Sequence, residues 1–132
     1  MDCPGQSIFN QREFGSTQYA SASLFIIMYD INNRESFKSC GKWLQDAASV
    51  TSQHHVQGII IANKIDLKNN NHHYGNEMVS TKEGKAFAEE CGLTYFETSA
   101  LSNTDLTKPF EALGHLFHTQ YEKAIEKAQQ IE

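Results

Sequence analysis
Three apolar runs punctuate an otherwise polar chain. Leu24-Phe25-Ile26-Ile27-Met28-Tyr29 ends at Asp30, Gly58-Ile59-Ile60-Ile61-Ala62 ends at Asn63, and Thr94-Tyr95-Phe96 is a shorter third. None alternates with polar residues, which predicts strands buried on both faces, as in a parallel sheet. Helical spacing fills the intervals. Glu35 to Val50 places Phe37, Cys40, Trp43, Leu44 and Ala47 near one side. Ser80-Thr81-Lys82-Glu83 has the capping-box pattern and opens a helix that stops at Gly92. Pro109 suits the first turn of a last helix, spanning 108–131, along which Phe110, Leu113, Phe117, Tyr121 and Ala124 share a face. Strand alternating with helix implies right-handed crossovers and an α/β, doubly wound sheet.

Lys68 to Glu77 interrupts this pattern. Asn69-Asn70-Asn71-His72-His73 is a polar run with no means of building a core, so 68–77 reads as a solvent-exposed loop insertion. No internal repeat and no shift of composition marks a second domain.

Composition narrows the function classes. A chain of 132 residues is one domain's worth or less. Eleven basic against sixteen acidic residues give a net charge of −5, which argues against a general nucleic-acid footprint. No apolar run is long enough to span a bilayer, and the first residues lack a signal-peptide pattern. Cys3, Cys40 and Cys91 are odd in number and far apart, which fits free thiols in a reducing compartment. The last residues contain no cysteine, so this terminus offers no prenylation site. His54-His55 and His72-His73 are adjacent pairs whose side chains diverge, and His115 with His118 is only a two-member set. Solvation or packing is the reading for these histidines, not a metal centre.

Three short segments carry candidate chemistry: Asp2-Cys3-Pro4-Gly5-Gln6, Asn63-Lys64-Ile65-Asp66 and Glu97-Thr98-Ser99-Ala100. In that order they resemble the third, fourth and fifth signature motifs of the Ras-like small GTPases. The latter two follow the second and third apolar runs, and ligands of open α/β sheets sit beyond the carboxyl ends of strands. The resemblance implies a partial doubly wound P-loop GTPase fold, with three C-terminal parallel strands and flanking helices. On that reading, 1–132 is the C-terminal portion of a G domain.

The resemblance also assigns roles. The Asp66 carboxylate would accept two hydrogen bonds from guanine N1–H and its 2-amino group, a pair that adenine cannot offer. The Asn63 amide would contact N7 and tie neighbouring loops, and the Lys64 stem would cover a face of the ring. The Ala100 N–H would reach O6, with Ser99 supporting the loop. Asp2 would help hold Mg²⁺ through water, the Gly5 N–H would meet the γ-phosphate, and Gln6 would orient the attacking water as the catalytic residue. Pro4 and Leu101 depart from the residues usual at their positions, and Pro4 removes a backbone donor.

Within the family, Tyr29-Asp30, Glu35-Ser36-Phe37 and Trp43-Leu44 look like the Rab branch. Ser36 to Leu44, Gly92-Leu93, Tyr95 to Ser99 and Pro109 to Leu113 are similar to the Rab-like subunits of the intraflagellar-transport B complex. That likeness implies GTP/GDP as ligand with Mg²⁺, slow hydrolysis, a small β-sandwich subunit as partner within the complex, and residence in cytoplasm and cilium or flagellum. A generic Rab of vesicle trafficking is the alternative, and a nucleotide-independent scaffold that docks through its last helix is another. The first family motif, G-x-x-x-x-G-K-[ST], is absent from the sequence. The expectation is therefore a fragment whose full-length form is a GTP hydrolase. As written, the polypeptide is expected neither to bind nucleotide tightly nor to hydrolyse it. In the family a central strand also pairs with the run at Leu24–Tyr29, so that run is expected to show an open edge here.

Overall fold
A computed structural model describes residues 22–50, 56–69 and 78–130. Its elements are β1 (Phe25–Asp30), α1 (Arg34–Val50), β2 (Gly58–Asn63), a 3₁₀ turn (Ile65–Asn69), α2 (Thr81–Cys91), β3 (Thr94–Glu97) and α3 (Lys108–Gln129). The strands form a parallel sheet in the order β1-β2-β3, flanked by helices. This is the α/β class expected. Lys68 and Asn69 belong to the 3₁₀ turn, and residues 70–77 lie outside the described residues.

β2 is buried from Gly58 to Ala62, which accounts for its continuous apolar run. Ile60 and Ala62 join Ile27 and Tyr29, their register partners in β1, in the main core. Helix α1 covers that face: the Tyr29 ring lies 4.8 Å from Phe37, and Phe37 lies 5.4 Å from Phe87 of α2. Cys40 and Ala47 are buried on α1, with Phe37, Trp43 and Leu44 packed beside the core, as their spacing predicted. Because side chains alternate across a sheet, Ile59 and Ile61 face the other side, where α3 packs on β2.

Two expectations are corrected. β1 is buried on one face only: Ile26 is 42% and Met28 47% exposed, although both are apolar. Helices α1 and α2 cover the Ile27 and Tyr29 side, while on the opposite face α3 rests against β2. The second correction concerns α3. Its inward side is Pro109, Ala112, Leu113, Leu116 and Gln120, which are buried or half-buried. Phe110, Phe117 and Tyr121 are instead exposed by 62%, 55% and 58%. Each is one residue beyond an inward position, about 100° around the helix. Core packing therefore explains neither Phe110 nor Phe117.

Helix α2 shows why its ends lie where they do. The Ser80 hydroxyl accepts from the Glu83 N–H at 3.2 Å, and the Glu83 carboxylate accepts from the Ser80 N–H at 2.9 Å. Gly92 ends the helix in the left-handed region at φ 69°, which costs glycine nothing. Gly84 lets α2 come close to the sheet, since a Cβ there would press into the Tyr29 hydroxyl and stand 2.6 Å from the Tyr95 ring. Arg34 at the start of α1 pairs with Glu83 at 2.8 Å and joins the two helix starts.

Candidate functional site
The carboxyl ends of the three parallel strands gather Asp30, Asn63 and Glu97 along one sheet edge. After Asn63 the chain turns sharply. Lys64 takes a left-handed conformation at φ 66°, uncommon for a residue with a Cβ. This turns β2 into the 3₁₀ turn, whose first residues include Asp66. The Leu67 N–H donates to the Lys64 carbonyl at 3.0 Å and closes the bend.

The segment after β3 is stitched to this bend. The Thr98 N–H donates to the Ala62 carbonyl at 2.8 Å, and the Ile65 N–H donates to the Thr98 carbonyl at 3.2 Å. The Thr98 hydroxyl donates to Asn63 Oδ1 at 3.3 Å. Ser99 is fully buried, and its hydroxyl donates to Asp66 Oδ1. The Ser102 N–H donates back to that hydroxyl at 3.1 Å. Ser99 and Thr104 exchange backbone hydrogen bonds of 3.2 and 2.9 Å, closing the loop into a small antiparallel bridge.

Opposite stands Asp30. Its Oδ2 lies 2.6 Å from Lys64 Nζ, and its Oδ1 accepts the Asn32 N–H at 2.8 Å. A second ion pair, Lys68 with Glu97 at 2.6 Å, flanks the site. Burial pulls the Glu97 carboxyl upward, but donors from Lys68, Thr81 and Tyr95 outweigh it and hold the group below the usual carboxylate range.

Of the residues singled out in the sequence, Asn63, Lys64, Asp66, Ser99 and Ala100 thus meet at one edge. Asp2, Gly5 and Gln6 lie outside the described residues. Among the described residues, Asp66 Oδ2 and the Ala100 N–H have no protein partner, which leaves one acceptor and one donor for a planar ligand. Sequence reasoning gave no role to Asp30, Thr98 or Ser102. Asp30 ends its strand just as Asn63 does, and that shared position was the available signal.

The Ras family profile matches residues 1–119. This chain belongs to the Ras family. Among curated relatives, the human Intraflagellar transport protein 27 homolog is 32% identical over 125 residues, covering 95% of this chain and 63% of that protein. The Trypanosoma brucei brucei Intraflagellar transport protein 27 homolog is 28% identical over 127 residues, covering 94% of this chain and 65% of its own length. The Arabidopsis thaliana Ras-related protein RABA5e is 40% identical over 110 residues, covering 83% of this chain and 46% of that protein. This Ras-family chain thus spans less than two thirds of each of these relatives. Among its described residues no helix is long and apolar enough to cross a membrane.

Proposed function
We propose that the carboxyl edge of this sheet is the base-reading half of a guanine-nucleotide site. The observation that carries this reading is Asp66 held by the buried Ser99 hydroxyl, with its second oxygen and the Ala100 N–H both without a protein partner among the described residues. A fixed carboxylate and an N–H donor on the loop that its partner Ser99 anchors match the N1–H, 2-amino and O6 edge of guanine. Adenine presents an amino group where guanine has O6 and lacks the N1–H, so both contacts fail. Asn63, tied to Thr98, supplies N7 recognition, and Lys64 covers a ring face.

In the same reading the chain is part of a GTP/GDP-dependent switch, a GTP hydrolase in its complete form. In the complete protein Asp2 would help to hold a Mg²⁺ ion, which would neutralise charge at the phosphates. Gly5 would offer its N–H to the γ-phosphate and Gln6 would orient water. The 132 residues contain no G-x-x-x-x-G-K-[ST] segment, so this polypeptide binds nucleotide weakly through the base alone and does not hydrolyse it. We propose that it is the C-terminal portion, 1–132, of a longer G domain. The apolar, exposed Ile26 and Met28 face of β1 supports this, because it suits a further packed element.

The relatives named for intraflagellar transport support a role for the complete protein in that process; a place in complex B beside a small β-sandwich subunit, in cytoplasm and cilium or flagellum, is what the family resemblance adds to this reading. A generic vesicle-trafficking Rab is the second reading, favoured by the 40% identity to RABA5e.

Two experiments test these levels separately. Competition binding of guanosine and adenosine 5′-monophosphates to wild type and Asp66→Asn tests the site. Loss of the charge-assisted contact should lower guanine affinity about tenfold or more and erase the preference over adenine. An unchanged preference would remove Asp66 from base reading. Co-purification of the endogenous protein with a β-sandwich subunit tests the complex, and recovery with vesicle membranes instead would favour the trafficking reading.

A further inference from the structure
We propose that Asp30 is a positioning residue that clamps Lys64 as a wall against the face of the bound purine; this rests on the base-site reading above. Asp30 closes β1 directly opposite Asn63 in the register, so it stands across from the bend that begins at Lys64. Its own orientation does not depend on the lysine. Oδ1 accepts the Asn32 N–H at 2.8 Å in an Asx turn, and the Asp30 N–H donates to the Ser36 hydroxyl at 3.0 Å. That hydroxyl donates in turn to the Asn33 carbonyl at 2.7 Å. The carboxylate is thereby set with Oδ2 toward Lys64 Nζ, 2.6 Å away.

Lys64 is fixed at both ends. Its backbone is held in the left-handed bend by the Leu67 N–H, and the preceding carbonyl of Asn63 accepts the Ile31 N–H at 3.2 Å. Its ammonium is held by Asp30. The methylene stem between them must bridge the carboxyl ends of β2 and β1, which makes a short apolar bar along the sheet edge. A freely rotating lysine would have to be ordered each time a base bound, and the clamp removes that cost. Such a bar contacts a ring face, not its edge. It therefore raises affinity for any purine without choosing between them, whereas Asp66 chooses.

The ion pair is partly exposed, with the lysine side chain 56% and the aspartate 24% accessible, so it adds little to the fold. Asp30→Asn keeps an oxygen for the Asn32 N–H and removes only the charge. The test is titration of the 132-residue chain with guanosine and adenosine 5′-monophosphates, followed by backbone-amide NMR, for wild type, Asp30→Asn, Lys64→Met and the double variant. Unchanged amide spectra away from the site establish that each variant is folded.

The expected result is about two- to fivefold weaker binding of guanosine monophosphate in Asp30→Asn, the range an ion pair of this exposure allows. The guanine-to-adenine ratio should stay at its wild-type value. In the Lys64→Met background, Asp30→Asn should have no further effect, since the clamp then has nothing to hold. Equal affinity for wild type and Asp30→Asn, or additive losses in the double variant, would overturn the clamp and leave the base-site reading standing. Absence of any response in wild type would overturn both.

Discussion
The Ser99 hydroxyl donates to the Asp66 carboxylate across the ends of β2 and β3, joining residues 33 positions apart. Ser99 is fully buried and also accepts the Ser102 N–H. One hydroxyl thus aims the carboxylate and anchors the loop carrying Ala100. Ser99→Ala would strand the Ser102 N–H and free the carboxylate. The expected stability loss is about 1.5–3 kcal/mol, the worth of a hydrogen bond to a charged group. Urea denaturation measures it, and guanine affinity should fall in the same variant. Unchanged stability with unchanged affinity would show that the contact matters for neither.

Glu83 gives a pH dependence of definite sign. Hydrogen bonds from Arg34 foremost, then from the Ser80 backbone and hydroxyl, lower its carboxyl to about 2, below an ordinary value of 4.5. A folded-state value below the unfolded one means stability that is present above pH 4.5 and lost as pH falls toward about 2. Glu83→Gln should flatten the fall of the denaturation midpoint between those limits. Glu97, also lowered, adds a fall of the same sign, so a variant slope equal to that of wild type would mean Glu97 dominates.

Two glycines in helices should respond with opposite signs to alanine. In α2, a Cβ at Gly84 would press on the Tyr29 hydroxyl and the Tyr95 ring, and Tyr29 is only 2% exposed and cannot swing away. Overpacking of about 1–3 kcal/mol should exceed the gain in helix propensity of about 1 kcal/mol. In α3, a Cβ at Gly114 meets nothing within 4 Å, so only the propensity gain remains. Gly84→Ala should lower the thermal midpoint and Gly114→Ala should raise it.

The sequence made strands and helix ends readable where one local rule decides. Isoleucines crowd Gly58 to Ala62 because β2 is covered on both sides, and Ser80, Glu83 and Gly92 are caps whose function lies within one turn. Reading failed where apolar type did not mean burial. Ile26 and Met28 look like Ile27 and Tyr29 in composition, but whether a face is covered depends on which helices lie over it. Phe110, Phe117 and Tyr121 drew the helical face toward themselves by size, though Pro109, Leu116 and Gln120 sit against the rest of the fold. In the site, Asn63, Lys64 and Asp66 were legible because one bend brings them together. Asp30 escaped because its partner is 34 residues away, and only the strand register places the two side by side.

Guanine recognition at this sheet edge is the step on which everything above depends. The most direct test follows the backbone amides of the 132-residue chain while guanosine 5′-monophosphate is added, with adenosine 5′-monophosphate as the comparison. If the edge reads guanine, shifts concentrate at Asn63, Asp66 and Ala100 with the guanine compound and are much smaller with the adenine compound. Equal responses to both, or shifts located away from these residues, would contradict it.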